Sequence, residues 1–248
     1  MVSILGAAAG GLAYGQALID IVGHNLANVN TFSFKRTRIV AEGSPKLPGE
    51  GGEGAHMGVS VLTEDRIFST GFAQTTGDPL NFSIGDDSFF RVRNLDGSPA
   101  LTRYGALSVD GAGQVIVGGL RQLDPPVTLP EGFSHPAINN DGTIVAMNLA
   151  GEKREIGRIT LVRFKSPQTL EALGEGMYRP TVNSGTAVDG FPGDPGFDPV
   201  VVGALEGSNV EIATEFANLI IGQRAYQASA KTFSVGDAMF AIATNLTK

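Results

Sequence analysis

Residues 209–246 read NVEIATEFANLIIGQRAYQASAKTFSVGDAMFAIATNL and contain no proline. Apolar residues recur along them at steps of three and four, the period of one face of an α-helix. Ser208, with Glu211 three positions on, matches the capping box of a helix start. About 36 residues of helix would span about 54 Å, a length typical of a coiled coil or helical array. The segment predicts one long helix with an uncovered apolar stripe: Val210, Ala213, Ala217, Ile220, Ile221, Ala228, Val235, Met239, Ile242 and Leu246.

The N-terminal segment could supply a partner for that helix. Residues 3–29 also place apolar side chains at helical spacing, but glycines interrupt them. Each glycine costs an isolated helix about 0.5–1 kcal/mol relative to alanine. Small residues four apart let a second helix approach closely. We therefore expect a helix stabilised mainly by other helices, with a weak helix packed on its own domain as the alternative. The glycines are Gly6, Gly10, Gly11 and Gly15.

The middle of the chain has the pattern of β-strands. Short alternating runs are separated by Asp-Gly turns, as in the runs Asn81–Ile84 and Phe89–Val92 and the turns at Asp96, Asp110 and Asp141. The sequence thus predicts an α+β fold. Its terminal helices would pair as a coiled-coil stalk, and its centre would be an all-β domain, either an antiparallel sandwich or a distorted barrel.

Composition changes mark the expected domain boundaries. Residues 1–36 and 204–248 would form the helical domain, and residues 59–203 the β domain. Residues 37–58 are rich in Gly and Pro and resemble an extended linker. Residues 183–203 resemble a second such linker, which returns the chain to the C-terminal helix.

Composition also excludes several classes of function. The chain has 248 residues, 18 Lys+Arg against 25 Asp+Glu, and a net charge of −7, which is unfavourable for binding nucleic acid. It has no Cys, so thiol catalysis and thiolate metal sites are excluded. Asp86-Asp87 and the segment 139–142 are interpreted as turns rather than cation ligands. No phosphate-binding loop or nucleophile elbow occurs, so we predict no catalytic residue, cofactor or metal.

The N-terminus does not resemble a cleaved leader. Residues 1–34 contain no Lys or Arg, whereas a secretory signal carries positive charge before its apolar stretch. A membrane span needs ~20 largely apolar residues, and glycines interrupt this stretch. We expect neither a cleaved signal peptide nor stable membrane insertion.

Several motifs resemble the bacterial flagellar rod and hook family. Residues 25–36, NLANVNTFSFKR, are similar to the N-terminal signature Asn-x-Ala-Asn-x-x-Thr-Pro-Gly-Tyr/Phe-Lys of that family, with Phe32-Ser33 in place of Pro-Gly. Residues 205–210, LEGSNV, and 215–226, EFANLIIGQRAY, are similar to its C-terminal helix. Between them, segments 76–113 follow the family order, with Asn81 where Asp is common and Ser88 where Gly is common.

The resemblance implies a structural subunit of the flagellar axis, not an enzyme. Such proteins leave the cell unfolded through the flagellar type III export apparatus, without a cleaved leader. Copies then stack helically around a channel in the basal body, next to other rod and hook subunits, and form the drive shaft between motor and hook. Within the family, residues 223–226 and the chain length are most like the distal rod. The short 37–58 segment is more like a proximal rod or hook-type subunit.

The resemblance and the apolar stripes together suggest which residues meet in the assembly. We expect Leu12, Ile19 and Leu26 to pack against the C-terminal helix at Ala217, Ile221, Ala228 and Val235, mainly on assembly. The predicted interface is Leu5, Leu12, Ile19, Leu26, Asn25, Asn28, Asn30, Ser208, Asn209, Ala217, Ile220, Ile221, Arg224, Tyr226, Ala228 and Val235.

Two functions outside the family stay open on the residues alone. One is a monomeric cell-wall-binding module whose loop aromatics Phe133, Phe191 and Phe197 grip a polymer. The other is an enzyme with a non-local active site, such as a wall hydrolase. Neither explains why both ends carry long amphipathic helices.

Overall fold

A computed structural model describes residues 2–43, 59–94 and 96–246 of the chain. The protein is α+β: one helix at each end, packed against each other, and a β-rich region between them. Two compact units are formed. The helical unit lies within Met1–Val29, Thr37–Arg66 and Val210–Lys248, and the β unit comprises Asn30–Arg36 and Ile67–Asn209.

Both predicted helices are present. Helix α1 runs from Val2 to Ala27 and helix α2 from Ile212 to Leu246, which is 35 residues and about 52 Å. The predicted capping box is wrong, because α2 begins four residues after Ser208 and that serine is buried. The Glu211 carbonyl oxygen instead accepts the backbone N–H of Glu215 at 3.0 Å.

The strands between the helices have the following bounds. They are β1 Thr37–Gly43, β2 Val59–Arg66, β3 Ala73–Thr75, β4 Phe82–Ser83, β5 Phe89–Arg93, β6 Pro99–Thr102, β7 Leu107–Val109, β8 Val115–Val117, β9 Arg121–Leu123, β10 Phe133–Ile138, β11 Thr143–Asn148, β12 Lys153–Arg158, β13 Leu161–Arg163, β14 Glu171–Gly174, β15 Met177–Arg179, β16 Val188–Gly190, β17 Val201–Val202 and β18 Ala204–Glu206.

The helical unit contains a hairpin as well as the two helices. Strands β1 and β2 pair antiparallel, from Thr37 opposite Arg66 to Gly43 opposite Val59, and both contact α1. The expected linker over 37–58 therefore begins as a strand, because its backbone groups pair with residues predicted to start the β domain. Residues 44–58, the rest of that segment, lie outside the described residues.

The β unit is built from antiparallel pairs around one main core. A nine-stranded sheet runs β14-β15-β6-β5-β9-β8-β7, with β13 and β16 joined to it through β5, and β10-β11-β12 form a second sheet. The predicted antiparallel β region is confirmed. The expected return linker is part of this unit, because β16 pairs with β13 and both Phe197 and Val200 enter the core.

A second, aromatic core lies beside the main one. Phe68, Phe89 and Tyr178 contact one another edge to face, with ring centroids 5.1–5.7 Å apart. Such pairs contribute about 0.5–1.5 kcal/mol beyond the area they bury. Phe68, which follows the end of β2, thus belongs to this second core.

Candidate assembly surface and buried charge cluster

The two helices meet through small residues. A Cβ placed on Gly15 would lie 3.0 Å from the Cβ of Tyr226, and one on Gly222 would lie 3.3 Å from Cγ1 of Ile19. A Cβ on Gly11 would lie 3.2 Å from the Cβ of Ser229. As residue numbers rise along α1 they fall along α2, so the helices are antiparallel. The close approach predicted for the glycines is present, at Gly11 and Gly15.

Both contacting surfaces repeat every seven residues. On α1 the repeat is Ala8, Gly15 and Val22, all buried; on α2 it is Glu215, Gly222, Ser229 and Gly236, all buried or half-buried. A repeat of 3.5 residues per turn keeps one seam of a helix facing its partner along the whole contact. The α2 residues in this repeat are small or polar, and Tyr226, whose Cβ and backbone face Gly15, is a large residue at the contact.

One end of the seam is polar. The side chain of Asn25 donates from Nδ2 to the carbonyl oxygen of Thr37 at 2.8 Å and to Oε2 of Glu215 at 3.3 Å. Its Oδ1 accepts the backbone N–H of Thr37 at 3.0 Å. Asn25 is fully buried, so this side chain fixes α1, β1 and α2 to one another within a single chain.

Two apolar stripes on α2 are left largely exposed, with Leu219 alone among their members half-buried. The aromatic stripe is Leu219, Tyr226, Phe233 and Phe240, and the aliphatic stripe is Ile221, Ala228, Val235 and Ile242. Phe240 is 51% exposed and Ile221 59% exposed. A third surface, the outer arc of Arg224, Gln227, Lys231 and Ser234, is exposed and polar apart from the stems of its cations.

Within the single chain, α1 does not cover the α2 residues that we expect to be packed on assembly, so that packing stays a prediction. Ala217, Ile221, Ala228 and Val235 are exposed in the chain, whereas α1 lies against Gly222 and Ser229. The physical reason is distance, because only residues without long side chains let the two backbones approach this closely.

A buried charge cluster occupies the β unit where the chain enters and leaves it. Glu206 accepts hydrogen bonds at Oε1 from Lys35 Nζ at 2.7 Å, Arg103 Nη2 at 2.9 Å and the backbone N–H of Gly71 at 3.0 Å. Its Oε2 accepts Arg103 Nε at 2.8 Å. All three charged residues are at most 1% exposed. The cluster joins positions 171 residues apart in the sequence.

The remaining donors of the cluster are bonded to backbone. Arg103 Nη1 donates to the carbonyl oxygens of Asp86 and Ser88, each at 2.7 Å, and Lys35 Nζ donates to that of Ser69 at 2.8 Å. Buried charges are tolerated when they are paired and hydrogen-bonded in this way. The cluster therefore holds distant segments of the β unit together through paired, hydrogen-bonded charges.

The cluster holds two cations against one carboxylate, and this shifts the pKa values. Burial, followed by the charge of Arg103, lowers the pKa of Lys35 from 10.5 to about 8, although Glu206 opposes the shift. Burial would raise the pKa of Glu206, but the hydrogen bonds and charges of Arg103 and Lys35 outweigh it and lower that pKa. The Glu206 carboxylate is therefore held ionised, and Lys35 is the group that loses its charge as pH rises above about 8.

Neighbouring residues add hydrogen bonds between the segments that enter and leave the β unit. Asn209 Oδ1 accepts the backbone N–H of Arg36 at 2.7 Å, and Asn209 Nδ2 donates to the carbonyl oxygen of Ile67 at 2.7 Å. The backbone N–H of Ser33 donates to the carbonyl oxygen of Glu206 at 2.7 Å. Segments 33–36 and 204–209 are thereby fixed together in the β unit.

The predicted interface residues fall into three groups. Asn25 and Ser208 are buried within the chain, Asn209 makes the bonds just described, and Asn28 Nδ2 donates to the carbonyl oxygen of His24. Leu5, Leu12, Ile19 and Leu26 are half-buried. Asn30 is exposed, as are the predicted residues on α2: Ala217, Ile220, Ile221, Arg224, Tyr226, Ala228 and Val235.

The sequence did not identify the charge cluster as a site. Lys35, Arg103 and Glu206 each lie in a motif that carried the family resemblance, but nothing in their spacing brings them together. Their shared membership in motifs was the one signal that could have found them.

Of the three loop aromatics in the wall-binding alternative, Phe197 is not available to contact a polymer, whereas Phe191 is 37% exposed. Phe197 is 8% exposed and belongs to the core. The ring of Phe191 lies 4.2 Å from the guanidinium carbon of Arg158, and Phe133 lies within β10 near Arg154. Among the described residues, no group of three or more His, Cys, Asp or Glu side chains is placed to hold a metal ion.

One described segment, Leu5–Ala27, is long and apolar enough to cross a membrane by length and composition alone. Core helices of soluble proteins and signal sequences satisfy the same test. Here the segment is α1, which packs against α2.

Known proteins are similar to this chain along its length. The model named "Flagellar hook protein FlgE/F/G D1 domain" matches residues 83–146, and "Flagellar basal body rod FlgEFG protein C-terminal" matches residues 201–246. The flagellar basal-body rod protein FlgG of Bacillus subtilis is 32% identical, over 93% of this chain and 94% of its own length. That of Borreliella burgdorferi is 31% identical, over 99% of both. The flagellar hook protein FlgE of Brucella suis is 27% identical, over 78% of this chain but 45% of its own length.

Proposed function

This chain belongs to the flagellar basal-body rod and hook protein family, as a rod structural subunit of the distal type, and we propose that its copies assemble helically through α1 and α2. The assembly would be the shaft that carries torque from motor to hook. In it, the α1–α2 pair would act as a coiled-coil layer. The partners would be copies of this chain, adjoining rod and hook subunits, and the flagellar type III export apparatus during delivery.

The exposed apolar surface of α2 supports this function most directly. Ile221, Val235 and Ile242 are 53–61% exposed on a helix whose seam with α1 is already filled by small residues. Monomeric proteins rarely leave such continuous apolar stripes in water. Burying one such side chain contributes about 1.5–3 kcal/mol, so a few of them decide between monomer and polymer.

Replacing Ile221 by Asp tests this function. Purified wild-type chain should form filaments that sediment, whereas Ile221→Asp should stay monomeric because a charge cannot be buried between copies. Gln227→Asp, which places the same charge on the outer arc, is the matched control and should assemble. Near-ultraviolet circular dichroism should show the same β unit in all three proteins. Filaments of Ile221→Asp equal to wild type would contradict the proposal.

A further inference from the structure

The two exposed stripes of α2 lie on opposite flanks of the helix. Members of the aliphatic stripe follow those of the aromatic stripe by two positions, as Ile221 follows Leu219 and Val235 follows Phe233. Two positions correspond to about 200° of rotation at 3.6 residues per turn. The α1 seam occupies the arc between the stripes on one side, and the polar outer arc occupies the other. From Arg224 onward, the exposed apolar residues of α2 therefore form two separate lateral faces; before it, Phe216 and Ile220 are also exposed, outside both stripes.

The two faces differ in shape but share one repeat. One carries flat rings at Tyr226, Phe233 and Phe240, and the other carries the compact side chains of Ile221, Ala228, Val235 and Ile242. Each repeats every seven residues over about 31 Å of helix, and neither contains a charged residue. If two copies lie side by side with their α2 helices parallel, a shift of about 3 Å along the helix axis places the aromatic stripe of one copy beside the aliphatic stripe of the other.

We propose that the aromatic stripe of one copy packs against the aliphatic stripe of the next, in a heterologous contact between parallel α2 helices. This inference rests on the proposed function and specifies how the copies meet. The occupant of each face is a second copy because the same helix supplies both faces with equal length and equal repeat. A contact between unlike faces leaves one of each kind free at the ends, so it continues indefinitely instead of closing as a dimer.

The amount of surface in one contact agrees with open assembly. Three rings that are about half exposed would bury roughly 300 Å² on the aromatic face, taking 150–250 Å² for a whole ring. A stable pair of proteins usually buries about 800 Å² per partner. One such contact alone is too small for a lasting dimer, whereas a subunit held on both flanks has twice the contact.

The chain contains no cysteine, so introduced cysteines report contacts without background. The probes are Phe233→Cys on the aromatic stripe, Val235→Cys on the aliphatic stripe, and Ser234→Cys on the outer arc as the matched control. Each full-length protein is brought to conditions in which wild type forms filaments and treated with a short bis-maleimide. Products are separated on a denaturing gel.

The heterologous contact gives a specific pattern of products. Either stripe variant alone should remain monomeric on the gel, an equal mixture of the two should give dimers and nothing larger, and the double variant should give a ladder. Ser234→Cys should stay monomeric. Filament formation by each variant, checked by sedimentation, shows that the substitutions leave folding and assembly intact.

Three results would overturn the inference. Dimers from Phe233→Cys alone would show like faces meeting, and a ladder from Ser234→Cys would place the contact on the outer arc. Filaments without crosslinks in the mixture would show that copies meet elsewhere, leaving the proposed function standing. If wild type itself fails to form filaments, the proposed function fails with it.

Discussion

Glu206 neutralises two buried cations at once, and this makes its replacement the most damaging in the cluster. In Glu206→Gln, Lys35 and Arg103 would face each other without a carboxylate, which should lower the free energy of unfolding by about 3–5 kcal/mol. Lys35→Met should cost far less, because Glu206 keeps Arg103 and the N–H of Gly71. Urea unfolding followed by near-ultraviolet circular dichroism measures both. Equal losses would refute the unequal roles assigned to the two residues.

Lys35 should also make stability rise with pH on the alkaline side. Its pKa is about 8 in the folded protein and near 10.5 when unfolded, so between these values the unfolded chain binds more protons. Stability then increases with pH across that window and levels off above it. Urea midpoints at pH 8, 9 and 10 should rise for wild type relative to Lys35→Met. Parallel pH profiles of the two proteins would contradict the prediction.

Ser88 carries a hydroxyl that contributes nothing to the fold. The residue is fully buried, and its Oγ has no hydrogen-bond partner among the residues the structure describes. An unsatisfied buried polar group costs about 1–3 kcal/mol, so Ser88→Ala should raise the free energy of unfolding by about 1 kcal/mol.

A matched control for this effect is Ser184, which is equally buried. Its Oγ donates to the carbonyl oxygen of Thr181 at 2.8 Å, so Ser184→Ala should lower the free energy of unfolding. Thermal unfolding of both variants gives the comparison. A loss of stability in Ser88→Ala would mean that the hydroxyl has a partner after all.

At the scale of elements, replacing two glycines of α1 by alanine should have opposite effects on the helix, because only one of them lies in the seam with α2. A Cβ on Gly15 would press on Tyr226 at 3.0 Å, whereas one on Gly23 would meet nothing within 4 Å. Gly15→Ala should therefore loosen α1 from α2, and Gly23→Ala should stabilise α1 by about 0.5–1 kcal/mol through helix propensity alone. Amide hydrogen exchange of α1 in the full chain should speed up in the first variant and slow down in the second. The same response from both would show that the seam is not tight.

Sequence patterns predicted the elements better than their partners. The periodicity of 209–246 and the glycines of the N-terminal segment gave both helices and their close approach. Periodicity marks side chains that avoid water, but it does not say which surface covers them: Ile221 and Val235 are exposed in the single chain, and their packing on assembly stays a prediction. Strand β1 was missed because the neighbouring Gly/Pro-rich residues dominated the reading of 37–58.

At the scale of the whole molecule, the least predictable feature is the charge cluster. Residues 35, 103 and 206 come together through the pairing of β18 with β3 and the close approach of segments 33–36 and 204–209. No local spacing encodes such a contact. The motif resemblance marked these residues, but only the fold shows that they hold two distant parts of the chain together.

The N-terminal 43 residues contribute to both units. We therefore expect this segment to be held to the rest of the chain at more than one place. Helix α1 and β1 belong to the helical unit, while residues 30–36 belong to the β unit. If a specific protease site is inserted among residues 44–58 and cut, the two fragments should remain associated and co-elute on size exclusion. Gly15→Leu removes the helix seam and Glu206→Gln removes the charge cluster. Each change alone should leave the complex intact, because the other attachment and the β1–β2 pairing remain, and the double variant should weaken the association most. Release by Glu206→Gln alone, with α1 still protected from hydrogen exchange before cleavage, would show that the helix seam cannot hold the chain without the cluster.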